Sequence, residues 1–158
     1  MRIFEEEQAF RQWWLLLILG TTLCATSLAF FIDLSDFQTT NWKHLGFILF
    51  LLIAVMFWIA RLHTRIDKTG ISTRFEPYGI FKRSYKWNDI SKVYVRKYKP
   101  FMEYGGWGIR GSKKSKAYNV SGNMGIQIIT KKGERLLIGT QKPTAAEKVI
   151  KRYHEKVD

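Results

Sequence analysis

Two uncharged apolar runs near the N-terminus, Trp13 to Phe31 and Leu45 to Ala60, constrain this chain more than any other feature. A helix needs ~20 residues to cross the hydrocarbon of a bilayer, with ~17 as the lower limit. The first run has that length. The second reaches it with His44 and Arg61 at the interfaces, helped by Trp42 and Trp58. The expectation is a membrane α-helical hairpin over 13–61, with transmembrane helices at about 13–32 and 43–61. A short external loop, Ile32 to Lys43, joins them. A segment 1–12 precedes the hairpin and a folded domain, 62–158, follows it.

Charge sets the expected orientation. The first sixty residues hold three Lys/Arg and five Asp/Glu, a net of −2, so residues 61–158 carry a net of +15 to give the chain's formal +13. Cytoplasmic flanks of membrane helices collect Lys and Arg. Arg61, Arg65, Lys68 and Arg74 closely follow the second run, whereas the loop offers only Lys43 beside Asp33 and Asp36. Both termini are expected in the cytoplasm of a multi-pass protein of a bacterial inner membrane. A cleaved signal peptide would need a basic start and a shorter apolar core. Here Glu5, Glu6 and Glu7 precede nineteen apolar-leaning residues. Cys24 is the sole cysteine, so no intrachain disulfide can form, and it reads as a small packing residue.

Residues 62–158 suffice for one small core, and their local signals are mostly β. Ile66 to Ile71 reads as a hairpin closed at Gly70, and Glu76-Pro77-Tyr78-Gly79 as a turn. Phe81, Arg83, Tyr85 and Trp87 alternate with Lys82, Ser84 and Lys86, the period of a half-buried strand. Val93-Tyr94-Val95 is another strand. Gly125 to Thr130 and Arg135 to Gly139 flank the turn Lys131 to Glu134. The period then changes. Thr144 and Glu147 have the spacing of a capping box. Ala146, Val149, Ile150, Tyr153 and Val157 share one helical face, away from Lys148, Lys151, Arg152 and Lys156. Six or seven antiparallel strands closed by a C-terminal amphipathic helix make an α+β sandwich or partly open barrel.

That architecture is of the pleckstrin-homology (PH) type, and particular residues resemble bacterial PH-like membrane proteins. Ile71 with Arg74, Tyr85 to Ile90, and Val93 resemble a recurring strand, Trp, Asp-Ile, strand segment. Gly105 to Arg110 is similar to the glycine-rich hairpin in the second half of that domain. Gly139 to Pro143 before the terminal helix also fits. The resemblance covers 62–158 and, more loosely, the apolar hairpin. It implies a PH-like fold and supplies no catalytic residues. The Lys-rich stretch Ser112 to Lys116 is longer and more basic than that pattern.

The inventory of reactive groups points away from an enzyme. His44, His63 and His154 have no second ligand at metal spacing, so no metal is expected. Gly105-Gly106-Trp107-Gly108 lacks the Gly-Lys-Ser/Thr of a phosphate-binding loop and is not followed by a helical pattern, so no nucleotide cofactor is expected. The best candidate site is the loop carrying Tyr104, Trp107, Arg110, Lys113, Lys114 and Lys116. Its glycines allow close approach to an anion and its lysines add positive field. A flexible, solvated hairpin is the plainer alternative. Basic charge beside an anionic leaflet favours docking on lipid headgroups. Nucleic acid is disfavoured, because no recognition helix or single-strand platform is visible. The expectation is a non-enzymatic scaffold or adaptor that presents a basic PH-like domain to the bilayer, with an unknown protein partner or a second copy as further candidates. Self-protection against a bacteriocin is the alternative.

Overall fold

The computed structural model describes residues 3–32, 41–77, 79, 81–112 and 114–154, with side chains left out at 29–32, 41–44 and 154. Residues 33–40 of the loop expected outside the membrane, and the candidate Lys113, therefore lie outside the described residues, while Ile32 and Asn41 to Lys43 belong to helices rather than to a loop. The chain forms two compact units, Met1–Ala9 with Arg61–Asp158, and Phe10–Ala60.

The second unit holds helices α1 (Trp13–Ile32) and α2 (Asn41–Ile59). Inside α1 the hydroxyls of Thr21 and Thr26 fold back onto carbonyls one turn earlier, at 3.0 Å from Leu17 O and 2.8 Å from Thr22 O. This satisfies polar groups in an apolar helix. Phe10 meets Phe57 edge-on at 5.6 Å. Among the described residues, however, no helix is long and apolar enough to cross a membrane. The expected membrane α-helical hairpin is corrected accordingly. The transmembrane and cell-membrane assignments fall with it, as do the multi-pass inner-membrane location and the cytoplasmic placement of both termini.

The first unit begins with a strand where the sequence suggested only a short leading segment, 1–12. Strand β1 (Phe4–Ala9) alternates strictly: Phe4, Glu6 and Gln8 face inward, while Glu5 and Glu7 face out. It pairs antiparallel with β2 (Arg61–Ile66), from Phe4 opposite Ile66 to Ala9 opposite Arg61. Glu6 can be buried because its carboxylate accepts hydrogen bonds from Thr140 Oγ1 at 2.6 Å and from the Gln141 N–H at 2.7 Å. Gln8 Nε2 donates to Gly139 O at 2.7 Å.

Strands β3 (Gly70–Glu76) and β4 (Arg83–Lys86) complete a four-stranded sheet in the order β1-β2-β3-β4. Gly70 cannot carry a side chain: a Cβ there would stand 1.9 Å from Tyr85 O on β4. The alternation from Phe81 to Trp87 yields only the four residues of β4. Trp87 turns off into a single 3₁₀ turn, buries its ring, and donates Nε1–H to Asp67 O at 2.8 Å.

The second sheet has five strands: β5 (Ile90–Lys97), β6 (Gly108–Gly111), β7 (Ser115–Asn119), β8 (Met124–Thr130) and β9 (Arg135–Gly139). Their order is β5-β8-β9-β7-β6, with β7 and β9 parallel. The described residues thus form nine strands, not six or seven. A short helix α3 (Pro100–Tyr104) lies between β5 and β6. The sheets share a core of Leu62, Ile66, Ile71, Ile126, Ile128 and Ile138, and Phe75 meets Tyr118 edge-on at 5.9 Å. Helix α4 (Pro143–His154) buries Ala146, Val149 and Ile150, and Tyr153 stacks on Trp87 at 6.0 Å. Proline opens α4 where its missing N–H costs nothing. Thr144 therefore sits inside the first turn rather than at the cap, and Glu147 pairs with Lys151 at 3.0 Å.

Candidate anion-binding groove

The free edge of β4 faces the β6–β7 hairpin, and two adjoining depressions lie there. One, of about 350 Å³, is lined by Phe81, Arg83, Ile109, Arg110, Gly111, Lys116 and Tyr118. The other, of about 230 Å³, is lined by Arg83, Tyr85, Lys116, Glu134 and Arg135. Arg83 and Lys116 belong to both, so the two form one groove. Four cationic side chains reach it from β4, β6, β7 and β9, against one carboxylate, Glu134.

Each cation has a structural reason for its place. The Arg83 guanidinium bonds the hydroxyl of buried Tyr118, which raises its already high pKa and keeps it charged. Arg110 donates Nε–H to Trp107 O at 3.1 Å. Gly111 forms the turn that returns the chain to Lys116: its φ is +99°, and a Cβ would lie 2.1 Å from Ser115 O. Gly111 and Lys116 are register partners, as are Ser115 and Arg135 across the parallel pair. The Arg135 N–H donates to Lys114 O at 2.8 Å. Burial pushes the Tyr85 hydroxyl pKa up, with Glu134 adding to the effect, so this tyrosine stays a neutral donor.

The six residues singled out in the sequence separate in space. Arg110 and Lys116 line the groove. Lys114 is exposed in the turn beside it. Tyr104 is a packing residue, against Tyr98 of the Tyr98/Ala117/Leu137 cluster at 6.2 Å. Trp107 is tied down by Nε1–H to Gly122 O at 3.1 Å and by an edge-on contact with Phe101 at 4.9 Å. Arg83 and Arg135 were missed, whereas Tyr118 lies in the same glycine- and lysine-rich stretch that the sequence singles out. Their signal was available for Arg83 alone, a cation in the Phe81/Tyr85 row of an otherwise aromatic strand face.

A larger depression of about 450 Å³ lies over β1, β2 and β3. Its charges are largely spent on each other: Arg61 pairs with Glu7, Arg65 with Glu5 at 3.0 Å, and Arg74 with Glu76 at 2.6 Å. His63 Nε2 sits 2.9 Å from Glu76 Oε2 without hydrogen-bond alignment, an ion pair only when the ring is protonated. Among the described residues no group of three or more His, Cys, Asp or Glu side chains is placed to hold a metal.

No protein-family model matches the chain, and no curated protein matches it.

Proposed function

We propose that the β-rich unit is a non-enzymatic, PH-like binding module, a scaffold or adaptor that takes the anionic groups of a lipid surface in the groove between β4 and β7. The observation that carries this reading is the convergence of Arg83, Arg110, Lys116 and Arg135 on one groove with a single opposing carboxylate. Arginine forks suit phosphate geometry. Tyr85 adds a neutral donor.

The test is binding of the full chain to vesicles of phosphatidylglycerol and phosphatidylcholine, against phosphatidylcholine alone, at rising salt. Each Lys or Arg near an anionic surface contributes ~1 kcal/mol. The triple variant Arg83→Ala/Lys116→Ala/Arg135→Ala should therefore lose up to ~3 kcal/mol of binding at low salt. The triple variant Lys148→Ala/Lys151→Ala/Arg152→Ala on α4 removes the same charge elsewhere and should lose less. Equal losses would make the attraction diffuse and the groove no site.

A further inference from the structure

Beside the groove, helix α3 does something a short helix in water has no reason to do. None of its residues is buried. Phe101 is 65% exposed and Met102 81% exposed, next to each other at the surface. They are not on a loose tip. Glu103 accepts the Lys99 N–H at 2.8 Å and pairs with Arg96 at 2.7 Å. Tyr104 anchors the last turn on the core, and the Phe101 ring is braced against Trp107. The mount is anchored at several points, and what it holds out is apolar.

The two side chains adjoin the groove through one residue. Trp107, which braces Phe101, offers its carbonyl to Arg110, and Arg110 lines the groove beside Ile109, itself 37% exposed. Lys97 and Lys99 are exposed on the chain entering α3. The arrangement is a protruding apolar pair flanked by cations. Contiguous exposed apolar side chains mark interaction sites. A protrusion needs a partner that yields around it, and flanking cations need one that is anionic. A headgroup layer over acyl chains meets both conditions, as it does for amphipathic elements lying in an interface.

We propose that Phe101 and Met102 form a wedge that enters the acyl boundary of an anionic lipid surface while the groove cations engage its headgroups. This rests on the lipid-surface reading of the groove and adds the depth and orientation of docking. In the full chain, a nitroxide on Met102→Cys in a Cys24→Ala background reads its surroundings. On adding phosphatidylglycerol/phosphatidylcholine vesicles, oxygen collisions at this site should rise severalfold and collisions with a water-soluble nickel chelate should fall. A nitroxide on Lys151→Cys of α4, in the same background, should stay accessible to the chelate. The unlabelled variant Phe101→Ser/Met102→Ser should bind at least tenfold more weakly with an unchanged salt dependence. The groove triple variant should instead flatten that dependence. A Met102 site that stays chelate-accessible on vesicle-bound protein overturns the wedge and leaves the groove reading standing. Failure of the wild-type chain to prefer anionic vesicles overturns both.

Discussion

Gly111 decides whether Lys116 returns to the groove. Its positive φ and the 2.1 Å clash awaiting any Cβ exclude other residues from the observed turn. Gly111→Ala should cost ~1–3 kcal/mol, the usual range for a residue forced into a sparsely populated conformation. Urea denaturation of the full chain should show a lower midpoint at an unchanged slope. Vesicle binding should fall with it, since the turn positions two groove cations. Glu103 makes a different kind of contribution. The Arg96 guanidinium, helped by the Lys99 N–H, holds its carboxyl below the usual range. Stability from this contact is present above the unfolded carboxylate's pKa and is lost as pH falls through the lowered folded value. Glu103→Gln should therefore be less stable than wild type at pH 7, by under about 1 kcal/mol for so exposed a pair. The difference should narrow as pH falls to 3, as urea midpoints at both pH values would show. At this scale the sequence was half legible. Arg110 and Lys116 stand close together in a basic stretch, so they could be found. Arg83 joins them only where the two sheets approach each other, and Arg135 only through the parallel β7–β9 register, neither of which a local pattern encodes.

Strand β1 shows how an element can hide in plain view. Three consecutive glutamates look like a solvated segment, and the period of two is visible only once Glu6 is allowed inside. That placement depends on two donors contributed some 130 residues later in the chain. Glu6→Ala leaves the buried Thr140 hydroxyl and the part-buried Gln141 N–H without their acceptor, and a buried orphan such as the hydroxyl costs ~1–3 kcal/mol. Glu6→Gln keeps an acceptor and should recover part of the loss. Equal melting temperatures for wild type and Glu6→Ala would show that β1 is not held this way. Helix α4 is the contrasting case. Its apolar spacing needs no distant partner to be recognised, and Ala146, Val149 and Ile150 are buried. Ile150→Asp should cost several kcal/mol by burying an unpaired carboxylate, a large part of a small domain's stability. Loss of the folded unit's cooperative melting is the expected readout. The apolar runs were legible as helices for the same local reason. A run of apolar residues fixes a helix and its need for cover, but the composition of the cover is not written in the run. Among the described residues neither helix is long and apolar enough to cross a membrane.

The whole chain is a β-rich unit interrupted once. Its first strand and the rest of it are separated by residues 10–60, which form a unit of their own. Ala9 and Arg61 nevertheless face each other as register partners. The interruption thus stands where an ordinary hairpin would have a turn. Two antiparallel strands so paired can be joined by a two-residue turn, for which Asn-Gly is the favoured sequence. Replacing 10–60 by Asn-Gly should give a protein of about a hundred residues, large enough for an independent core. Its stability should come from the contacts already present: the Glu6 and Gln8 bonds to the end of β9, the Trp87–Tyr153 stack and the buried face of α4. It should melt in one cooperative transition, and Glu6→Ala should destabilise it as it does the full chain. It should also keep the salt-dependent preference for anionic vesicles, since Arg83, Arg110, Lys116 and Arg135 all lie outside the replaced segment. A shortened chain that folds but binds anionic and zwitterionic vesicles alike would move the lipid-binding role from the groove to residues 10–60.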